Sequence, residues 1–376
     1  MKKWISNLLS GPNGVFGKPS TEAGHSLTVG KLAADIVCSS YRGSPCLVID
    51  SNGEQTLDDI WRTSDDHHTN LTDRLRVFSF GNPLSSYHYN PLKHGNADQI
   101  FRKVQCALDL DINERQVFGV TEALRTVVNA VVHLKMQISF GDIAKIFRDP
   151  QALEDIDRDL TASFEAGVAG ALACQRSLRS ASSSFFYEPV FAKLATDLDD
   201  FDRVLNASMN LAAPGLDVTA VIPERQIVFF QLNLASTGSV GRRLGRMIVE
   251  DLNISMTNKL KMLPHDRGNC SVFIGEAIDF GGPALLDILR TSRASGLAVR
   301  LYARDGLELD LAYNGFVRGI LNNTLKIPAQ KIGAAQEVAI PTGPEIPVLI
   351  ISEREAEAPG FLTEEHRRKY FSGLSQ

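Results

Sequence analysis

The feature that most constrains this chain is an alternation of helical patterns with short apolar runs, which stops over residues 96–205 and then resumes. Before the interruption, apolar side chains at helical spacing in Lys31–Tyr41 are followed by the apolar run Cys46–Asp50. A second run, Val77–Phe80, comes next. Helices that alternate with apolar strands are typical of βαβ units. The pattern therefore predicts an α/β fold with a mainly parallel sheet.

Residues 96–205 carry helical patterns and almost no strand signal. The predicted helices are Ala97–Leu108, Glu114–Met136, Phe140–Phe147, Ala152–Glu165 and Pro189–Leu205. In the second of them, apolar residues from Val117 to Leu134 recur at steps of three and four, as one buried helix face requires. We interpret this stretch as an all-α insertion domain.

The alternation of strands and helices returns in the second half of the chain. The predicted strands are Val218–Ile222, Gln226–Leu234, Ser271–Glu276 and Leu297–Ala303, with Val348–Ser352 as an edge strand. Predicted helices begin at Gly241 and at Pro283, and a last helix and strand are expected within 307–328. The insertion thus interrupts one α/β domain.

Composition excludes disordered, collagen-like and disulfide-scaffold proteins. Hydrophobic residues make up 44% and charged residues 22% of the chain, as in ordinary globular proteins. No window approaches 18 uninterrupted apolar residues, so no membrane span is predicted. Five cysteines without a CxxC pair or a Cys/His metal spacing predict reduced thiols in a cytosolic protein and no metal site of that kind. The net charge of −5 argues against a basic coat for nucleic acid but leaves a local cationic channel open.

The loop before the first predicted helix partly matches the phosphate-binding motif G-x-x-x-x-G-K-[ST]. Gly30 and Lys31 match its second glycine and its lysine. His25 stands where the first glycine belongs, and Leu32 stands where a hydroxyl would reach Mg²⁺. Taken alone, such a Gly-Lys pair is more often a plain helix start.

A second partial ATP motif lies at the end of the predicted strand Ser271–Glu276. It resembles the strand that ends in Asp-Glu in P-loop ATPases. Gly275 replaces the aspartate on the metal side, whereas Glu276 keeps the position of the glutamate that activates water. Both ends of a Mg·ATP site are present in position, and both protein groups that would hold the metal are missing.

Five segments in order resemble the type IV secretion coupling proteins, the TraG/TraD-type DNA-translocating ATPases related to FtsK and HerA. The segments are the Gly30-Lys31 loop with CLVIDSNGE, VFSFGNPLSSYHYNPL, the helical insertion, RQIVFFQLNLASTGSVGRRLGRMIVEDL, and SVFIGEAIDFGGPALLDILRTSRASGLAVRLYARDGLEL. The likeness spans residues 20–330 and lies in arrangement more than in catalytic residues.

The resemblance implies a RecA-like P-loop NTPase fold. The expected divisions are an N-terminal segment 1–16, a nucleotide-binding-type domain formed by 17–95 and 206–355, the all-α domain 96–205 and a C-terminal tail 356–376. Carried over by position, Gly30 and Lys31 are residual nucleotide-binding residues and Glu276 is a residual catalytic residue. Arg290 and Arg293 lie where the pore-side segment of the family runs, and they are DNA-binding candidates.

The resemblance also implies ATP with Mg²⁺, but the losses at Leu32 and Gly275 predict weak or absent hydrolysis, so no cofactor is assigned with certainty. We expect a coupling-protein-like component of a conjugative or type IV secretion system, a degenerate ATPase that acts in DNA, relaxosome or substrate docking and in assembly. Two alternatives stay open. One is an active DNA-translocating ATPase with an unorthodox nucleotide site, and the other is a soluble adaptor that pairs with an active secretion ATPase.

The expected partners are type IV secretion or relaxosome proteins and DNA. By resemblance the chain would form a homo- or hetero-oligomer, and for this family a hexamer. The membrane-spanning segments of the family are not found in this sequence, so any contact with a membrane is expected only through a partner. The expected location is cytoplasmic, peripheral to the inner membrane through such partners.

Each of the remaining, weaker motifs has both a functional and a structural interpretation. Thr237–Gly245 suggests a dinucleotide loop, but its spacing favours helix packing. His67-His68 suggests a metal site, and a solvated loop explains it better because no further ligands converge. Asp199-Asp200 is expected on a solvated helix face. The other candidates for phosphate contact, which could equally be plain surface residues, are Arg176, Arg179 and Arg300.

Overall fold

The structure is a computed structural model, and it describes most of the residues between 36 and 303. The described residues are 36–37, 43–51, 54–66, 71, 73–80, 87–108, 114–208, 214–275, 279–280 and 282–303, with the backbone of two later strands at 325–328 and 348–351. Gly30, Lys31 and Glu276 lie outside the described residues, as do His67-His68, the segment 1–16 and the tail 356–376.

In the described part of the chain, seven strands form one sheet in the order β2-β3-β1-β4-β5-β7-β6. The strands are β1 (Cys46–Asp50), β2 (Leu75–Ser79), β3 (Ile227–Gln231), β4 (Cys270–Gly275), β5 (Leu297–Ala303), β6 (Leu325–Pro328) and β7 (Val348–Ile351). The registers of β1 with β3 and β4, and of β5 with β4 and β7, are all parallel, which confirms the predicted α/β class. The edge position predicted for Val348–Ser352 is wrong, because β7 lies between β5 and β6.

The centre of the sheet is apolar on both faces. Every residue of β1, β3 and β4 is buried, which explains why these segments read as continuous apolar runs and not as alternating ones. Val48, Phe229 and Phe273 share one cluster with Ile60 from the helix that follows β1, and none of the four is exposed. This cluster thus covers one face of three adjacent strands, and the other face of these strands is buried as well.

The described residues contain nine α-helices. They are α1 (Glu54–Asp66), α2 (Ala97–Ala107), α3 (Glu114–His133), α4 (Phe140–Arg148), α5 (Pro150–Glu165), α6 (Ala171–Ser182), α7 (Pro189–Ala207), α8 (Leu234–Leu260) and α9 (Pro283–Ser295). The five helices predicted in 96–205 are confirmed to within three residues at each end, and α1 and α6 were not predicted.

The strand predicted at Val218–Ile222 is wrong. Val218–Ala220 is a single 3₁₀ turn, and the backbone then closes on itself: Glu224 N–H donates to Ala220 C=O at 3.0 Å, and Gln226 N–H donates to Val221 C=O at 2.9 Å. Pro223 lies in this turn, directly after the predicted strand, and a proline lacks the N–H that a central strand needs to continue.

The chain divides into two compact units. One takes in Met1–Val77, Val218–Ala235 and Ser255–Gln376 and contains nearly all of the sheet. The other takes in Phe78–Asp217 and Ser236–Ile254 and is helical apart from the end of β2. The all-α stretch proposed at 96–205 lies inside the second unit, and its boundaries stay a prediction.

The interior of the helical unit contains an aromatic cluster and a buried ion pair. Phe147, Phe185 and Phe191 form an aromatic cluster with ring centroids 4.7 to 5.8 Å apart. Lys103 is fully buried: it pairs with the Asp251 carboxylate and donates to two backbone carbonyl groups. A buried charge of this kind is tolerated only when it is paired and hydrogen-bonded.

Capping side chains define where two helices of this unit begin. Asn96 accepts from Gln99 N–H at 3.0 Å while the Gln99 side chain accepts from Asn96 N–H at 2.8 Å. Ser139 and Asp142 make the same reciprocal pair before α4. Each pair satisfies two of the helix's unpaired backbone donors.

Among the residues that the structure describes, no helix is both long and apolar enough to cross a bilayer.

Candidate functional site

The candidate site is the edge of the sheet where the parallel strands end. Asp50 ends β1 and pairs in register with Gln231 at the end of β3. Gly275 ends β4 and pairs with Tyr302 near the end of β5. In open α/β sheets, ligands bind outside the carboxyl ends of the strands. This edge is therefore the place where chemistry is expected.

A carboxylate from β1 lies against the glycine that ends β4. A Cβ atom built on Gly275 would stand 3.1 Å from Asp50 Oδ1, which is tighter than ordinary van der Waals contact. Asp50 has no solvent exposure. The space next to Gly275, where an aspartate side chain would begin, thus already borders a carboxylate from the neighbouring strand.

The backbone on either side holds Asp50 in place. Leu232 N–H donates to Asp50 C=O at 2.8 Å, and Leu234 N–H donates to Ser51 C=O at 2.9 Å. Between these two donors, Asn233 adopts a left-handed conformation with φ 45° and ψ 61°. Asparagine tolerates that conformation better than most residues. The connection from β3 to α8 therefore clamps the end of β1.

Two buried hydroxyl groups lie in the segment that follows. Ser51 is 4% exposed and Thr56, in the first turn of α1, is not exposed at all. In the part of the chain that the structure describes, neither hydroxyl oxygen has a hydrogen-bond partner. An unsatisfied buried polar group costs about 1–3 kcal/mol. Such groups are stabilised when a polar ligand or water reaches them.

The residues at this edge fit a magnesium ion held together with a nucleotide. Mg²⁺ is usually bound through one or two carboxylates, substrate phosphates and waters, not by a cage of protein ligands. Within the described ranges, no group of three or more His, Cys, Asp or Glu side chains could hold a metal alone. Asp50 would supply one carboxylate to such a site, and the nucleotide and waters would supply the other ligands.

The two predicted DNA-binding residues lie on the exposed surface of α9. Arg290 is 58% exposed at its side chain, with Nη1 3.6 Å from Asp287 Oδ1. Arg293 is exposed one turn later on the same helix. Residues three apart on a helix share a face, so both guanidinium groups are presented to one side. Their contact with DNA stays a prediction.

Comparisons with known proteins were made on sequence and on structure. No family model matches the chain, and no curated protein matches it. Among solved structures, the plasmid coupling protein TrwB with a non-hydrolysable GTP analogue superposes with a TM-score of 0.51 at 14% identity, covering 81% of this chain and 66% of that one. TrwB with a non-hydrolysable ATP analogue gives 0.50 at 13% identity, with 77% and 64% covered.

The chain shares the fold of the coupling protein TrwB. This confirms the predicted RecA-like fold with its parallel sheet and helical interruption. VirB4 of Thermoanaerobacter pseudethanolicus overlaps more loosely, with a TM-score of 0.39 at 12% identity over 91% of this chain and 70% of that one. The chain spans 62–66% of the length of the first TrwB chains matched.

The weaker motifs fall largely on structural interpretations. Thr237–Gly245 lies inside α8, which is kinked at Gly238 with φ 55° and ψ −127°, so the segment belongs to a helix and not to a loop after the strand. Asp199 pairs with Arg148 on the surface, as expected of a solvated face. Arg179 donates twice to the Asp157 carboxylate, at 2.7 and 2.6 Å. These hydrogen bonds lower the pKa of Asp157.

Asp50 is the residue that motif reading missed. Its signal was present, since the apolar run Cys46–Asp50 ends in a carboxylate. The nearness of Asp50 to Gly275 depends on the strand order. β4 follows β1 by more than two hundred residues in sequence, and yet the two strands are direct neighbours in the sheet. Spacing along the chain does not contain that information.

Proposed function

We propose that this chain is a coupling-protein-like component of a conjugative or type IV secretion system that uses the ATPase fold to bind a nucleotide, dock partners and assemble, with weak or no hydrolysis. The observation that carries the proposal is Gly275: in a fold shared with a coupling protein, β4 ends without the side chain that holds the catalytic metal.

Weak hydrolysis follows from what this chemistry requires. In phosphoryl transfer a bound metal ion would neutralise the charge that develops on the phosphate oxygens. Here Leu32 replaces the hydroxyl that would reach Mg²⁺, and Gly275 removes the carboxylate from β4. The remaining carboxylate, Asp50, approaches from a different strand. It can hold an ion, but from a position that differs from that of a β4 aspartate.

Docking is supported by the surface of the helical unit. Phe118 on α3 is 71% exposed, and Tyr187 just before α7 is 85% exposed. Exposed aromatic side chains are favoured anchors at protein interfaces. We propose type IV secretion or relaxosome proteins as partners, DNA as a ligand of Arg290 and Arg293, a hexameric or mixed ring, and a cytoplasmic location with membrane contact through a partner.

The proposal is tested by ATP turnover with Mg²⁺, measured with and without DNA. We expect slow turnover that is nearly the same in the Lys31→Ala variant, because the metal-dependent step is impaired in both. Lys135→Ala is the matched control, since this lysine lies in the helical unit. Rapid Mg²⁺-dependent turnover that Lys31→Ala abolishes and Lys135→Ala preserves would contradict the degenerate part of the proposal.

The contact between Asp50 and Gly275 also supports a second candidate, an active DNA-translocating ATPase with an unorthodox site. In that case Lys31 and Glu276 act, and Asp50 replaces one of the missing metal ligands. Glu276→Gln separates the candidates. It would abolish DNA-stimulated turnover in the active enzyme and would change little in the degenerate one.

A further inference from the structure

We propose that Asp50 supplies the carboxylate through which this chain holds the divalent cation of a metal–nucleotide complex, in place of the side chain that Gly275 lacks. The inference rests on the proposed nucleotide-binding role. It concerns the residue that binds the ion, which is a separate matter from how fast ATP is cleaved.

The geometry brings the Asp50 carboxylate next to the place where the missing side chain would begin. Its Oδ1 lies 3.1 Å from the Cβ position of Gly275, and the carboxylate of an aspartate begins one bond beyond Cβ. An aspartate at position 275 would therefore crowd Asp50 and set two like charges side by side, which is unfavourable without a cation between them. The absence of a side chain at Gly275 therefore leaves room for the Asp50 carboxylate.

Burial strengthens the interaction with an ion. Asp50 has no exposure, and charges attract more strongly where water is excluded. The clamp from Leu232 and Leu234 fixes the backbone that carries the carboxylate, so little ordering is required when an ion binds. Ser51 adds a buried hydroxyl at the next residue. Oxygen ligands of this kind suit Mg²⁺ and Mn²⁺.

A purely structural role for Asp50 makes a different prediction. It would make Asp50→Asn lower the stability of the free protein and leave the response to metal unchanged. A ligand role predicts that the response to metal itself is lost. The two roles are therefore separated by measuring metal binding directly, without relying on activity.

The experiment uses the full chain with adenylyl imidodiphosphate, a non-hydrolysable ATP analogue, and Mn²⁺ as the probe. Mn²⁺ binding is followed by electron paramagnetic resonance, and the metal-induced rise in Tm is measured for the nucleotide-bound protein. For Asp50→Asn we expect Mn²⁺ affinity to fall by at least about tenfold, since losing even an outer partner of a metal ligand costs about 10- to 100-fold. The control is Asp58→Asn, which removes the same charge from an exposed site on α1 and should bind as the unaltered chain does.

Two further variants keep the test decisive if Asp50→Asn folds poorly. Gly275→Ala leaves all charges in place but puts a methyl group 3.1 Å from Asp50 Oδ1, and it should also weaken Mn²⁺ binding. The exchange Asp50→Asn with Gly275→Asp moves the carboxylate to β4 and should restore part of the affinity.

Mn²⁺ binding that is unchanged in both Asp50→Asn and Gly275→Ala would overturn the inference, as would nucleotide binding that is equally tight without metal. Both results leave the proposed docking function standing, because that function is contradicted by rapid turnover and not by the identity of a metal ligand.

Discussion

The buried ion pair of the helical unit gives the sharpest prediction about stability. Lys103 has no exposure, pairs with Asp251 and donates to Pro91 C=O at 2.7 Å and to His94 C=O at 2.6 Å. The other oxygen of Asp251 accepts from the Tyr89 hydroxyl at 2.5 Å. Burial raises the pKa of Tyr89 well above its usual value and Asp251 raises it further, so the phenol keeps its proton and donates.

Replacing this lysine by methionine removes the charge and keeps a side chain of similar length. Lys103→Met leaves Asp251 buried at 3% exposure without its cation, and two carbonyl groups lose a donor. Breaking a buried pair from one side costs about 3–5 kcal/mol. The two orphaned carbonyls place the expected loss in free energy of unfolding at the upper end of that range. A typical domain has only about 5–15 kcal/mol in total.

The assay is urea unfolding followed by circular dichroism, with hydrogen exchange of α2 and α8 measured by mass spectrometry to localise the change. Lys145→Met is the control, because that lysine is 65% exposed and its pair with Asp149 spans 3.9 Å, so it should cost under about 1 kcal/mol. Adding Asp251→Asn to Lys103→Met should recover part of the loss, since it removes the unpaired charge. A loss for Lys103→Met as small as that of the control would refute this reasoning.

Three further predictions concern packing and thiol chemistry. Gly296→Ala should lower the free energy of unfolding in urea more than Gly43→Ala does. Both glycines have φ above +70°, but only at position 296 would the new Cβ meet a carbonyl oxygen, at 2.7 Å. Equal losses in the two variants would contradict this clash. Phe147→Ala should cost about 3–5 kcal/mol because it empties the centre of an aromatic cluster, whereas Phe118→Ala, at a 71% exposed site, should leave Tm nearly unchanged. Burial raises the pKa of Cys270 to about 12, so iodoacetamide at pH 8 should label it only after unfolding, and labelling of the folded protein would contradict that burial.

Most of the fold could be predicted from local pattern. Helices such as α3 and α7 carry an apolar stripe at helical spacing, and β1, β3 and β4 are short apolar runs because both of their faces are buried. The misses have local causes. The sequence of α1 is mostly polar and so resembles a loop in composition. Before α6, the cap residue is Gly170, and no side chain there makes a capping hydrogen bond that would mark the start of the helix.

The site was less accessible to sequence reasoning. Motif spacing proposed Gly30, Lys31, Gly275 and Glu276 as site positions, because a motif is defined by neighbours in the chain. The roles of Gly30, Lys31 and Glu276 stay predictions. The contact between Asp50 and Gly275 arises from strand order, and strand order is set by the packing of the whole sheet. Motif spacing along the chain therefore could not show that the Asp50 carboxylate lies beside Gly275.

The central claim, that this chain keeps the nucleotide-binding fold but cleaves ATP slowly or not at all, is tested most directly by a single-turnover measurement. The full chain in excess is mixed with labelled ATP and Mg²⁺, the complex is separated from free nucleotide, and the bound nucleotide is identified over time. We predict that ATP is recovered intact over many minutes. Bound ADP that forms within seconds, and that Lys31→Ala prevents from forming, would contradict the account.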